Sequence, residues 1–185
     1  MPQDSVIRIS VTGPESTGKS TLSQELAQYF GGVVVSEYAR TYLEKLGRHY
    51  IAEDLPVIAR MQREAWDRAA RDACRNGKNL LVCDTDMLVM RIWSLHAFGK
   101  CDPYIEHAFR NDSWDFVLLC DVDLPWTYDP LREHPHLRSF FFDWYRRELE
   151  DAGRPFAIVR GQGSERLNAA LKALGHIESL SPSVS

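Results

Sequence analysis

One segment near the start of the chain constrains its fold more than any other. Residues 13–20 read GPESTGKS and match the pattern G-x-x-x-x-G-K-[ST]. A β-branched run over 6–12 predicts a strand before this segment, and apolar residues at helical spacing over 19–29 predict a helix after it. A strand, this loop and a helix in that order indicate a phosphate-binding loop, the P-loop.

Each residue type in this loop has a chemical reason. The two glycines permit backbone angles and a close approach that a Cβ atom would block. The loop N–H groups and the helix N-terminus form a concave anion site, Lys19 supplies a cation, and the Ser20 hydroxyl suits Mg²⁺. We therefore predict that the loop binds ATP, as co-substrate, through Gly13, Glu15, Ser16, Thr17, Gly18, Lys19, Ser20 and Thr21.

Further apolar runs predict strands that alternate with helical patterns. The strands cover 33–35, 80–83, 116–120 and 156–159, and the helices cover 37–46, 55–75 and 164–174, with another starting at 139. Continuous apolar runs are typical of parallel strands that are buried on both faces. We predict an α/β P-loop NTPase fold: a five-stranded parallel sheet with helices on both faces, whose ligands bind at the carboxyl ends of the strands.

Composition fits one globular domain and excludes other classes of protein. Of the 185 residues, 44% are hydrophobic and 26% are charged, which argues against a disordered or fibrous chain. A net charge of −4 gives no basic excess, and there is no membrane-length apolar run or signal peptide, so we expect no nucleic-acid or membrane partner. Four widely spaced cysteines favour reduced thiols in the cytoplasm. We expect a single domain over 1–175 and a flexible tail over 176–185, and the sequence leaves the oligomeric state open.

Two carboxylates follow the third predicted strand. Asp84 ends that strand, at the position where P-loop enzymes hold Mg²⁺, and we predict that Asp84 and Ser20 bind this ion. The alternative is that the acid caps a helix that starts near residue 87. Asp86 is a candidate for such a cap, for a substrate ligand, or for both.

Polar residues also follow the second predicted strand. Glu37 is placed to accept the proton of an attacking hydroxyl, with Asp86 as the fallback base. Tyr38 and Arg40 are candidates for binding the acceptor, as is Trp93 among the central aromatic residues. The alternative for Glu37 and Arg40 is an ion pair on a solvated helix end.

The turn-rich segment 121–138, here called the lid, follows the fourth predicted strand. It carries Arg132 and Arg138, and arginines that close over a nucleotide stabilise charge in the transition state. We predict a mobile lid, against the alternative of a surface loop with scattered charges. After the last strand, Gly163 and Arg166 lie where a nucleotide base would bind, although the same residues suit a plain strand-to-helix turn.

Five motifs in one order carry a family resemblance. They are GPESTGKST at 13–21, SEYAR at 36–40, CDTD at 83–86, WDFVLL at 114–119 and DPLR at 129–132. Together they resemble the ribosylnicotinamide kinase domain of NadR-type proteins of bacterial NAD biosynthesis. The resemblance covers nearly the whole chain, over residues 6–175.

This resemblance implies transfer of a phosphoryl group from ATP to the 5′-hydroxyl of nicotinamide riboside, which gives nicotinamide mononucleotide. Together with the reasoning from the residues, the predicted catalytic set is Lys19, Glu37, Asp84, Arg132 and Arg138. NadR-type proteins commonly add a nucleotidyltransferase domain and sometimes a DNA-binding domain, and we expect neither activity of this chain. The alternatives are a kinase for another nucleoside or small metabolite, and a nucleotide-binding regulatory module without catalysis.

Overall fold

The structure of the protein, a computed structural model, describes residues 6–177 and residue 180. Its strands are β1 (Ile7–Thr12), β2 (Val33–Val35), β3 (Leu80–Asp84), β4 (Phe116–Cys120) and β5 (Phe156–Val159). They form one sheet in the order β2-β3-β1-β4-β5, and every neighbouring pair is parallel. The predicted α/β fold with a five-stranded parallel sheet is confirmed.

Helices connect these strands. They are α1 (Lys19–Phe30), α2 (Tyr38–Leu46), α3 (Asp54–Arg75), α4 (Met87–Phe98), α5 (Pro103–Asn111), α6 (Arg138–Asp151) and α7 (Ser164–Leu174). The sequence analysis missed α5, although Asp102 caps it by accepting a hydrogen bond from the Tyr104 N–H at 2.8 Å and a proline opens its first turn. In the part of the chain that the structure describes, no helix has both the length and the apolar character that a bilayer span requires.

The sheet separates two apolar layers. Successive side chains of a strand point to opposite faces. Leu80 and Val82 therefore join a cluster with α1 and α7, whereas Leu81 and Cys83 join a cluster with α2 to α6. Because helices cover both faces, the strands read as continuous apolar runs, as the sequence predicted.

The predicted tail, 176–185, lies mostly outside the described residues. The described members are His176, Ile177 and Leu180. The His176 ring centroid lies 5.0 Å from that of Phe116, and the other two side chains pack against the cluster of α1 and α7. These three residues thus contact the core, and the domain boundary at 175 stays a prediction.

The buried carboxylate of Asp86 joins β1 to α4. It accepts hydrogen bonds from the hydroxyls of Ser10 (2.7 Å) and Thr12 (3.2 Å) and from the N–H groups of Leu88 (3.1 Å) and Val89 (3.2 Å). Burial raises the pKa of Asp86, and the bonds from Ser10 and Val89 oppose that rise. Asp86 is the N-cap of α4, which is one of the roles that the sequence left open.

We predict that Asp86→Ala lowers the free energy of unfolding by at least about 2 kcal/mol, because it removes a helix cap and leaves buried donors without an acceptor. Asp86→Asn should cost less, since the Ser10 hydroxyl can turn to accept a bond from the new amide. Urea unfolding of both variants measures the difference. Equal stability of Asp86→Ala and the wild type would contradict a capping role.

Candidate functional site

A cleft of about 440 Å³ opens at the carboxyl ends of the strands. The P-loop forms one side, and helices α2 and α4 form the floor and far wall. Residues 48–50 and lid residues 130–134 complete the rim. The cleft therefore lies where a parallel sheet of this kind places its ligands.

The P-loop packs tightly against the end of β4. Gly13 has φ +134°, and a Cβ atom there would lie 2.9 Å from the carbonyl oxygen of Cys120. Gly18 has φ +78°, and a Cβ atom there would lie 2.9 Å from a side-chain carbon of Leu124 in the lid. Both glycines are thus required by backbone angle and by space, as the motif predicted.

The ammonium group of Lys19 lies inside the curve of the loop. Its Nζ atom donates hydrogen bonds to the carbonyl oxygens of Gly13 (2.9 Å) and Pro14 (2.8 Å). The Thr17 hydroxyl donates to the same Pro14 oxygen at 2.8 Å. Side chain and loop are therefore held together, with the positive charge facing the cleft.

Asp84 lies at the end of β3, beside Val11 of β1. It is 4% exposed, and its Oδ1 atom is buried with no hydrogen-bond partner among the described residues. Such an oxygen fits a hard cation, and the exposed Ser20 on the cleft offers a hydroxyl. Among the described residues no three His, Cys, Asp or Glu side chains form a metal cage. The two residues fit Mg²⁺ bound jointly with nucleotide phosphates, which is the usual mode of that ion.

Glu37 precedes α2 and lines the cleft. Burial raises the pKa of Glu37; the charge of Lys19 opposes the rise, and the charge of Asp84 adds to it. Within the described chain the Glu37 side chain caps nothing, and the ion pairs of Arg40 go to Glu44 (3.8 Å) and Asp129 (2.8 Å) instead. The structure therefore does not form the alternative Glu37–Arg40 ion pair.

The lid lies over the P-loop in this structure. The Ser16 hydroxyl accepts a hydrogen bond from the Thr127 N–H at 2.9 Å. The Glu15 carboxylate accepts bonds from the N–H groups of Glu133 and His134, each at 3.2 Å. Arg132 lines the cleft, and its guanidinium donates to the Thr127 carbonyl at 2.6 Å. The lid thus closes onto the loop through loop side chains and lid backbone.

The structure brings most of the predicted site residues to one cleft. Those that line it are Gly13, Glu15, Ser16, Thr17, Gly18, Lys19, Ser20, Thr21, Glu37, Arg40, Trp93 and Arg132. Asp84, Tyr38, Asp86, Arg138, Gly163 and Arg166 lie outside this lining. The charge of Asp84 nevertheless raises the pKa of Glu37, so the Asp84 carboxylate influences the site from outside the lining.

The displaced predictions have local physical reasons. The Tyr38 N–H donates to the Gln62 side chain at 2.6 Å, which turns the start of α2 toward α3. Arg138 donates to the carbonyl oxygens of Ser16 (3.1 Å) and Leu124 (2.9 Å), so it braces the lid against the P-loop. These residues support the cleft wall rather than face into it, and Asp86 does the same as a helix cap.

The predicted base-binding residues after β5 also have structural partners. Arg166 is 3% exposed; it pairs with the Asp123 carboxylate and donates to the Gly161 carbonyl at 2.9 Å. Its guanidinium is therefore committed to holding this turn against the lid. Gly163 precedes α7, and a Cβ atom there would meet nothing within 4 Å, so its surroundings are open.

The sequence analysis missed several other residues that line the cleft. They are Arg48, His49, Tyr50, His96, Glu133, His134, Phe141 and Tyr145. The Tyr50 and Trp93 ring centroids lie 4.9 Å apart, and the Tyr50 hydroxyl donates to Glu133 at 2.9 Å. In the sequence, residues 48–50 form a polar, aromatic stretch between two predicted helices, and the other residues are spread over 96–145. This pattern gave no sign of which residues would meet.

Comparison with known proteins identifies the family. The profile of the AAA_28 family, described as an AAA domain, matches residues 8–166. The chain belongs to this family. It is also 30% identical, over 128 residues, to the trifunctional NAD biosynthesis/regulator protein NadR of Escherichia coli K12. That alignment covers 67% of this chain and 30% of NadR, so the chain spans about a third of the length of this relative.

Solved structures show the same fold. A NadR crystal structure in complex with NR superposes with a TM-score of 0.77 at 20% identity, over 99% of this chain and 54% of that one. The NadR structure in complex with NAD and AMP-PNP superposes with a TM-score of 0.73 at 21% identity, over 92% of this chain and 50% of that one. Thymidylate kinase from Ehrlichia chaffeensis gives 0.64 at 16% identity, over 94% and 97%. The predicted P-loop NTPase fold and the resemblance to NadR-type proteins are thereby confirmed.

We predict that Glu37→Gln lowers turnover by about 10²–10⁴-fold with ATP still bound, since it removes the predicted proton acceptor and keeps the shape of the side chain. In the wild type, the acid limb of kcat/KM should lie above pH 4.5, the ordinary pKa of this group. Rate measurements from pH 4 to 9 provide the check. A large loss in Asp86→Asn with a nearly silent Glu37→Gln would reverse the two roles.

The same variant should retain or gain stability at pH 7. Because the pKa of Glu37 is higher in the folded protein than in the unfolded chain, ionising this group costs stability as the pH rises above 4.5. Glutamine carries no charge and avoids that cost. Thermal unfolding of the wild type and Glu37→Gln at pH 4 and pH 7 tests this direction of change in stability. A variant that is less stable than the wild type only at pH 7 would contradict the prediction.

For the lid, we predict that Arg132→Ala and Arg132→Lys both lose turnover, by as much as about 10³-fold, while nucleotide affinity changes much less. Lysine lacks the planar fork that contacts two oxygens at once. Arg138→Ala should act more mildly, because that side chain braces the lid from outside the cleft. Turnover and direct nucleotide binding are measured side by side. Normal turnover in both alanine variants would make the lid an ordinary surface loop.

Proposed function

We propose that the protein is an ATP-dependent kinase that phosphorylates the 5′-hydroxyl of nicotinamide riboside. The observation that carries the proposal is the pairing, in one cleft, of a P-loop lysine with Glu37, a carboxylate of raised pKa whose side chain makes no capping hydrogen bond to α2. The similarity to NadR, and to a NadR structure solved with NR, supports the choice of acceptor.

The residues of the cleft fit phosphoryl transfer by positioning and charge. The P-loop N–H groups and Lys19 hold the phosphates of ATP. Glu37 takes the proton of the acceptor hydroxyl as its oxygen bonds to the γ-phosphorus and the bond from that phosphorus to the bridging oxygen breaks, which releases ADP. Arg132 approaches the transferring group from the lid. Mg²⁺, held by Ser20 and Asp84, would neutralise charge on the phosphate oxygens.

The charges around the acceptor side favour a nucleoside over a nucleotide. A phosphorylated acceptor needs unpaired cations. Arg40 is paired with Asp129 and Arg48 with Asp54, at 2.8 Å and 2.7 Å. The carboxylate of Glu133 adds negative charge to the same rim.

The aromatic wall suits a flat and positively charged ring. Tyr50 and Trp93 both line the cleft and meet edge to face. A cation is attracted to an aromatic face, and a carboxylate such as Glu133 strengthens that attraction. The pyridinium ring of nicotinamide riboside has both properties.

The deciding experiment measures ADP release in a coupled assay with a panel of nucleosides and nucleoside monophosphates. We expect nicotinamide riboside to be converted to its mononucleotide with the highest kcat/KM, and Lys19→Ala to abolish turnover while staying folded. Faster turnover of a neutral nucleoside would reassign the acceptor. ATP binding without phosphorylation of any acceptor would favour a regulatory module.

A further inference from the structure

The segment 47–53, between α2 and α3, has no regular secondary structure and still supplies part of the cleft wall. Arg48, His49 and Tyr50 all line the cleft. A loop that contributes to a binding site must be held in one conformation, because each freely moving residue adds an ordering cost on binding.

Asp54, the first residue of α3, gathers the segment around one carboxylate. It is 4% exposed and accepts four hydrogen bonds. Two come from the guanidinium of Arg48, at 2.7 and 2.8 Å, one from the Tyr42 hydroxyl at 2.8 Å, and one from the Ile51 N–H at 2.8 Å. The carboxylate therefore ties α2 and both halves of the segment to the start of α3.

Tyr50 lies between Arg48 and Ile51, the two residues of the segment that bond to Asp54, and its side chain lines the cleft. Its ring meets Trp93 at 4.9 Å and Phe98 at 6.0 Å between centroids. Its hydroxyl donates to Glu133 of the lid at 2.9 Å. One side chain thus contacts both the acceptor wall and the lid.

We propose that Asp54 is a positioning residue that holds Tyr50 in place for acceptor binding. Asp54 acts through the segment and does not itself line the cleft. The proposal rests on the proposed kinase function for its kinetic part only. According to this proposal, the buried Asp54 carboxylate affects binding of the acceptor and not binding of ATP.

The four donors require the ionised form of Asp54. The hydrogen bonds from Arg48, more than those from Ile51 and Tyr42, hold the pKa of this carboxyl well below its usual range. Asparagine would present an amide in place of one carboxylate oxygen to donors that need an acceptor. The bidentate contact with Arg48 would then be lost with little change in volume.

The test compares Asp54→Asn with a matched control, Asp112→Asn. Asp112 is also a buried carboxylate paired with an arginine, Arg63, but it lies between α5 and β4, before the amino end of that strand, whereas the cleft lies at the carboxyl ends of the strands. We expect Asp54→Asn to raise KM for nicotinamide riboside by roughly tenfold, with KM for ATP and kcat changed much less, and the control to leave all three constants unchanged. In a Tyr50→Ala background Asp54→Asn should add no further rise.

Hydrogen exchange provides a readout that needs no acceptor. Amides of 47–53 should exchange faster in Asp54→Asn than in the wild type and the control. If Asp54→Asn does not fold, Tyr42→Phe deletes one of the four bonds and should show a smaller change of the same kind. Unchanged exchange in 47–53, or equal rises in KM for ATP and acceptor, would overturn the proposal. A wild type that phosphorylates no nucleoside refutes the proposed function, and the exchange comparison still decides on Asp54.

Discussion

The contact between the P-loop and the end of β4 is the constraint on which the rest of the site depends. Gly13 has room for a hydrogen atom and no more against the Cys120 carbonyl, so the loop must turn at that point. The turn folds the Lys19 ammonium back onto two loop carbonyls. Beside this loop, β3 ends at Asp84, and Glu37 follows the end of β2. A parallel sheet is what allows these ends to share one edge.

The fold could be predicted because its signals are local. Each strand is a short apolar run, and all five were predicted to within one residue of their observed bounds. The P-loop is defined by residues that are adjacent in the chain. Helix α5 was missed although its signals are local too: Asp102 and Pro103 begin it, and its buried residues Ile105, Ala108 and Phe109 recur at helical spacing.

The cleft wall could not be predicted because its contacts join residues far apart in the sequence. Glu15 meets the backbone of residues 133 and 134, and Tyr50 meets Glu133, which lies 83 residues away. No spacing rule connects such pairs. Arg166 shows the limit of position alone: its place after a strand predicts a contact with a nucleotide base, and in the structure its guanidinium bonds to Asp123 and Gly161. Position relative to the sheet indicates where a residue lies and does not indicate what its side chain binds.

Three carboxylates near the strand ends show how environment separates roles that sequence leaves equivalent. Asp86 meets four donors and is buried, so it has no capacity left for a ligand and acts as a cap. Asp84 keeps one buried oxygen with no partner in the described structure, which is an unfavourable state that a cation would relieve. Glu37 is the N-cap residue of α2, but its side chain makes no capping hydrogen bond and lines the cleft with a raised pKa. A proton acceptor must have an unoccupied oxygen and a pKa raised toward the working pH, and among these three Glu37 meets both conditions.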